Sequence, residues 1–288
     1  MSVIESDVGT PAKRTRDRRG GMSGVRAIVR NELRILRHDP VPAVILVAMP
    51  IVLMVLLSNA MNLAIADEGY LGVTGSAQTV PGMACVFAFF GAGILAFAIF
   101  REHGWSTWPR LRAAGLSRRS LLAGKVIVPA GLLLVQHVVL FVFGVVLLDL
   151  DNVGSWWLIA LIASCFTVVV LAAGLAVTAV FQTVQQVNAV TNLGAMVLGG
   201  LGGGFVPVRS LPEWVQPIAP ISPVNWAMDA YRAVILDGVG GPFCGPDAGC
   251  RPLSDVLIPC AVLLGFAALF TLIAVLFLRP DQPKRTWG

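Results

Sequence analysis

"PGMACVFAFFGAGILAFAIFREHGWSTWPRLRAAGLSRRSLLAGKVI", residues 81–127, opens with twenty uncharged residues and ends where a second apolar run begins at Val126. Between them lies a short connector with five arginines, Glu102, Trp105 and Trp108. About 20 apolar residues cross a bilayer core of about 30 Å at 1.5 Å per residue, so the first run is long enough to span. The connector is then a compact charged link between two membrane helices.

The rest of the chain repeats this pattern. Of 288 residues, 56% are hydrophobic and 13% charged, where a soluble domain is about a quarter charged. Uncharged apolar stretches cover 41–62, 81–100, 126–148, 156–181, 188–207 and 256–278. The expected fold is an all-α polytopic membrane protein with six transmembrane helices. The linkers are too short for a sizeable soluble domain, so residues 23–288 read as one membrane domain. Residues 1–22, basic and scattered with Gly, Pro and Ser, read as a disordered cytoplasmic tail.

A net charge of +5 could suggest nucleic acid, but the placement of the charge argues against it. Nine basic residues precede residue 41, six lie between 101 and 125, and three follow 278. Eighteen of the 21 thus fall on one side of a six-span topology, which by the positive-inside rule makes both termini cytoplasmic. The expected location is the plasma membrane, the inner membrane of a bacterium. The loop near Gln182 is uncharged and takes its side only by alternation. No cleavable signal peptide is read in the first 40 residues, where a short apolar core and a small-residue cleavage site are missing.

From Ser23, apolar Val25, Ile28, Val29, Leu33 and Leu36 recur at helical steps, while Arg26, Arg30, Arg34 and Arg37 run along another face. This predicts an interfacial helix with its arginines among lipid headgroups, ended by Asp39-Pro40. Near residue 200 the chain reads "NAVTNLGAMVLGGLGGGFVPV", 188–208. Its glycines, Gly199, Gly200, Gly202 and Gly203 among them, predict a close packing surface that breaks up at its outer end. No Gly-Lys-Ser/Thr follows, so a phosphate loop is excluded. Pro212, Pro217, Pro220 and Pro223 then forbid one long helix and suit two short ones. With Trp214, Ile218, Ile221 and Trp226 close together, this segment is expected to fold back as an extracellular re-entrant hairpin shielded by protein.

The motifs of ATP hydrolysis, metalloproteases, thiol redox pairs and serine hydrolases are all missing from the sequence. The three histidines are too scattered for a metal site, and no catalytic residue, cofactor or metal is assigned to this chain. His137, beside Gln136, is the one ionisable residue deep in a span. It either lines a substrate path or is a neutral imidazole bonded to a neighbouring helix. Cys85, Cys165 and Cys260 lie in spans and read as buried apolar thiols. Cys244 and Cys250, in "FCGPDAGC", either close a small disulfide ring outside the cell or stay as two unpaired thiols.

Two stretches carry a resemblance to a family. "REHGWSTWPRLRAAGLSRRSLLAGKVI" and "GGLGGGFVPVRSLPEWVQPIAPISPVNWAMDAYRAV" resemble the two signatures of the permease subunits of ABC-2 type exporters, the daunorubicin-resistance-like group in particular. With the spans and the interfacial helix, the resemblance covers nearly everything after residue 22. It implies that the connector is a coupling helix docking on a separate ATP-binding subunit, which holds the ATP and magnesium. By match to the motif, the coupling residues are Arg101, Glu102, Gly104, Thr107, Trp108, Arg110, Leu111 and Arg112. Phe100, Pro109 and Gly115 depart from the pattern, two of them where the family often has acids.

The resemblance further implies a homo- or heterodimer of permease subunits working by alternating access, with spans two and five along the path. The segment from Leu211 through Pro212, Trp214, Pro223 and Trp226 to Arg232 would form the outer gate. The implied partners are the ATPase subunit, a second permease subunit, the lipid bilayer and a small amphipathic or hydrophobic cargo such as a drug, antibiotic or lipid, with no nucleic acid. The alternatives are a polysaccharide or glycolipid exporter and a non-transporting membrane anchor or sensor. An ion-driven secondary transporter is disfavoured by the lack of acidic residues inside the spans.

Overall fold

The computed structural model describes residues 19–67, 73–104, 113, 117–150, 154–239 and 252–277. Eight α-helices run through them: α1 (Arg19–His38), α2 (Val41–Asp67), α3 (Ser76–Gly104), α4 (Arg118–Leu147), α5 (Trp156–Val180), α6 (Val184–Leu201), α7 (Pro223–Ile235) and α8 (Ser254–Phe277). Two single 3₁₀ turns, Val208–Ser210 and Ala219–Ile221, lie between α6 and α7. Among the described residues, α2, α3, α4, α5 and α8 are long and apolar enough to cross a membrane. The protein is therefore a multi-pass, all-helical membrane protein.

α2, α3 and α4 extend past the expected runs 41–62, 81–100 and 126–148 at one end or both. α4 begins at Arg118, eight residues before Val126, because the Ser117 side chain accepts from the Ser120 amide at 3.1 Å and caps the first turn. α1 begins at Arg19 rather than Ser23. α2 buries Leu46, Pro50, Met54, Ser58, Met61 and Ile65, three or four apart, a stripe that it lays on α3. Its other faces are apolar and exposed, as lipid requires. α3 and α5 are the most buried of the five long helices and form the centre, with α2, α4 and α8 around them.

The expected fifth span, 188–207, is cut short. α6 has 18 residues, about 27 Å of helix, and carries Gln185, Gln186, Asn188 and Asn192 in its first turns. It stops at Leu201 because Gly203 adopts φ +81°, a left-handed conformation that a side chain resists. The following loop lies against the start of α3. A Cβ on Gly82 would sit 2.0 Å from the Gly204 carbonyl oxygen, so this crossing needs glycine.

Of the two short helices expected from the prolines, one forms as an α-helix. Residues 208–222 are turns, and α7 then starts with Ser222 as its cap and Pro223 at its first position. α7 is 13 residues long and packs against α3, α5, α6 and α8, with Val224, Ala227, Ala230, Tyr231 and Val234 fully buried. It is a short helix enclosed by protein, the setting in which irregular backbone at membrane depth is tolerated.

Candidate functional site

The charged connector meets the helices in a buried ion cluster. Arg101 and Glu102 end α3, Lys125 lies in the second turn of α4, and Glu32 comes from α1. The Arg101 Nη2 donates to Glu32 Oε2 at 2.8 Å. The Lys125 ammonium donates to both the Glu32 and Glu102 carboxylates. The Lys125 side chain is 1% exposed and those of Glu32 and Glu102 are 8% exposed. Burying a charge in this way is tolerable only because each is paired and hydrogen-bonded. Ile28 packs on Leu121 and Leu122 beside the cluster, and a Cβ on Gly124 would lie 2.8 Å from Ile28, so α1 and α4 meet closely.

Arg101 and Glu102 thus turn inward rather than out to the surface. Gly104 closes α3, and Thr107, Trp108, Arg110, Leu111 and Arg112 lie outside the described residues, as do Cys244 and Cys250. Arg26, Arg30, Arg34 and Arg37 are all exposed along α1. Glu32 and Lys125 are the members that sequence reasoning missed. Glu32 carried a signal: it lies four residues after Ile28 and four before Leu36, a carboxylate within the apolar stripe.

Two adjoining cavities lie nearby, one beside the cluster among α1, α2, α3, α4 and α6, the other farther on between α2, α3 and α6. The first, about 370 Å³, is amphipathic, with Glu32, Arg101, Asn188, Thr191 and Asn192 facing Phe97 and Leu132. The second, about 560 Å³, is lined by apolar side chains, Met49, Phe87, Phe90, Met196 and Phe205 among them. They share Pro42, Phe90 and Ile94, so polar and apolar walls adjoin. His137 lines neither. Its Nδ1 donates to the Leu133 carbonyl at 2.9 Å and its ring lies against Phe166 of α5, inside the protomer.

At the opposite end, a cavity of about 640 Å³ is lined by Gln78, Arg209, Asn225, Trp226, Asp229 and Arg232, with others. Trp226 and Arg232 are brought together here. Pro223 is buried at the start of α7, while Pro212 and Trp214 lie exposed on the surface, Leu211 half-buried beside them, and none of the three lines the cavity. The wall is held by three side-chain bonds. Gln78 Nε2 donates to the Gly203 carbonyl at 2.7 Å, Ser222 Oγ to the Leu198 carbonyl at 2.7 Å, and Trp226 Nε1 to the Pro220 carbonyl at 2.9 Å. Asn225 Nδ2 donates to the Asp229 carboxylate at 3.1 Å. Of the glycines, Gly199 abuts Val86, Gly202 abuts Val224, and Gly200 has only Phe205 near it.

The family model for ABC-2 type transporters matches residues 24–236, from the first turns of α1 to the end of α7. The chain belongs to the ABC-2 type transporter family. The match spans most of the chain and includes the ion cluster, both cavities and the outer wall. The ABC-2 chain is 26% identical over 202 residues to "Linearmycin resistance permease protein LnrN" of Bacillus subtilis, covering 67% of this chain and 47% of that protein. It is 28% identical over 237 residues to "Probable doxorubicin resistance ABC transporter permease protein DrrC" of Mycobacterium tuberculosis, covering 79% of this chain and 81% of that one. A third similarity, 28% over 201 residues, is to "ABC transporter G family member 20" of Dictyostelium discoideum, where it spans 26% of the relative. The ABC-2 chain thus spans about half of the first relative's length and most of the second's. Two of these relatives are named as permease proteins, one of them of an ABC transporter.

Proposed function

We propose that the chain is the membrane subunit of an ATP-driven exporter that moves an amphipathic or hydrophobic compound outward. The observation that carries this reading is the pair of adjoining cavities: an amphipathic one at the arginine-rich end shares Pro42, Phe90 and Ile94 with an apolar one of about 560 Å³, within the 300–1,000 Å³ range of small-molecule sites. Phe87, Phe90 and Phe205 offer rings to an apolar scaffold, and Glu32, Arg101, Asn188 and Asn192 offer hydrogen bonds to its polar groups. A separate ATPase subunit, which carries ATP and magnesium, docks on the connector through Thr107, Trp108, Arg110, Leu111 and Arg112. α6 and its loop complete the sixth crossing, both termini are cytoplasmic, and a second permease subunit faces this one. ATP-driven closure below shifts the cavities from inward- to outward-facing, with the Leu211 to Arg232 segment as the outer gate.

Doxorubicin and linearmycin, after which the relatives are named, are the first cargoes to try. In cells producing the chain with its ATPase subunit, accumulation of one of them falls, and Phe87→Ala with Phe90→Ala restores accumulation without lowering the amount of protein in the membrane. If the double variant keeps full efflux, the apolar chamber is not on the path.

A further inference from the structure

The ion cluster joins three elements. Glu102 lies on the helix that enters the connector, Lys125 on the helix that leaves it, and Glu32 on the N-terminal helix. One ammonium on α4 thus bonds to α3 and to α1 through two carboxylates and is shut off from solvent. Glu32 and Arg101 also line the amphipathic cavity, so members of the cluster form the floor of that cavity as well as the anchor of the connector.

Positive-inside topology needs basic residues at this end, but it needs no glutamates, and it does not call for a lysine buried between two of them. A cluster that served packing alone would be better replaced by apolar residues of the same volume. We propose that Lys125 is a positioning residue: it clamps the two ends of the connector to α1, so that a displacement of the connector moves α1 and the cavity floor as one body. This inference rests on the coupling role proposed above. Lys125 acts through Glu32 and Glu102 and touches neither cargo nor nucleotide.

The test uses the purified complex of the full chain with its ATPase subunit, comparing wild type, Lys125→Arg and the pair Glu102→Gln with Lys125→Met. The pair removes both charges of the Lys125–Glu102 link together, and it spares the bond between Glu32 and Arg101. Hydrogen–deuterium exchange of residues 24–38 is measured with and without ADP and vanadate, alongside recovery of the ATPase subunit. The expected result is a vanadate-dependent change in α1 in the wild type and in Lys125→Arg. In the paired variant that change is lost, while ATPase recovery and nucleotide-free exchange stay as in the wild type.

A wild-type response in the paired variant overturns the proposal. So does a wild type whose α1 does not respond. A paired variant whose α1 already exchanges freely without nucleotide, or which fails to hold the ATPase, reduces the cluster to a structural anchor and also overturns it. If the wild type itself recovers no ATPase subunit, the coupling role under the proposed function has failed instead.

Discussion

Gly82→Ala should disrupt the fold, while Gly131→Ala should leave it intact or slightly stronger. Both residues sit inside long membrane helices, so propensity alone would favour both changes, by about 0.5–1 kcal/mol each. The surroundings separate them. A Cβ on Gly82 would lie 2.0 Å from the Gly204 backbone oxygen, and that oxygen cannot rotate away as the tip of a side chain could. Its loop is also pinned by the Gln78 bond to Gly203 and the left-handed turn at Gly203. The whole α3–α6 crossing would have to open, which should cost more than the roughly 3 kcal/mol of ordinary overpacking. Gly131 lies on the exposed face of α4 with nothing within 4 Å of the added carbon. The apparent melting temperature of the purified protein in one detergent checks the pair. Equal effects at the two positions would contradict the packing described for the outer end of α3.

The second large effect concerns Lys125. Lys125→Met alone leaves the Glu32 and Glu102 carboxylates facing the place of a lost cation, and breaking a buried pair from one side costs about 3–5 kcal/mol. Adding Glu102→Gln to the same chain should recover part of that loss, since a neutral amide beside a thioether leaves less buried charge unpaired. The double variant is therefore expected to melt above the single one. If the two substitutions add instead, the three groups are not one network, and the contact seen among them has no energetic weight.

Much of this fold was legible in advance because a bilayer imposes a simple code. Five of the six apolar runs became long helices, since a run of 20 or more uncharged residues has few other options in lipid. The sixth failed to reach its expected length for a local reason. Gly203 had been read as part of a packing surface, but its positive φ ends the helix. Helix starts were also misplaced, at Arg19 and at Arg118, because charged residues continue a helix wherever a cap or a buried partner accommodates them.

The candidate site was legible only in part, and the reason is distance along the chain. Glu32 lies 93 residues from Lys125, and Glu102 lies 23 from it. Periodicity reports which face a residue occupies, not what it meets there. Hence Arg101 and Glu102 could be marked by motif as a surface for a partner, while their inward turn toward Glu32 and Lys125 could not. The same limit applied to His137. Its depth was readable, but its burial against Phe166 of α5, away from both cavities, required the packing of α4 on α5.

If this chain recruits an ATPase through residues 105–112, a pull-down will separate docking from mere anchoring. Tagged wild type is extracted in mild detergent beside Trp108→Ala with Arg112→Ala, leaving Glu102 intact because it is buried in the ion cluster. The account predicts that the wild type brings down an ATP-hydrolysing subunit, and that the variant is equally abundant and folded but brings down little or none. Equal recovery by both, or no ATPase with the wild type, would contradict it.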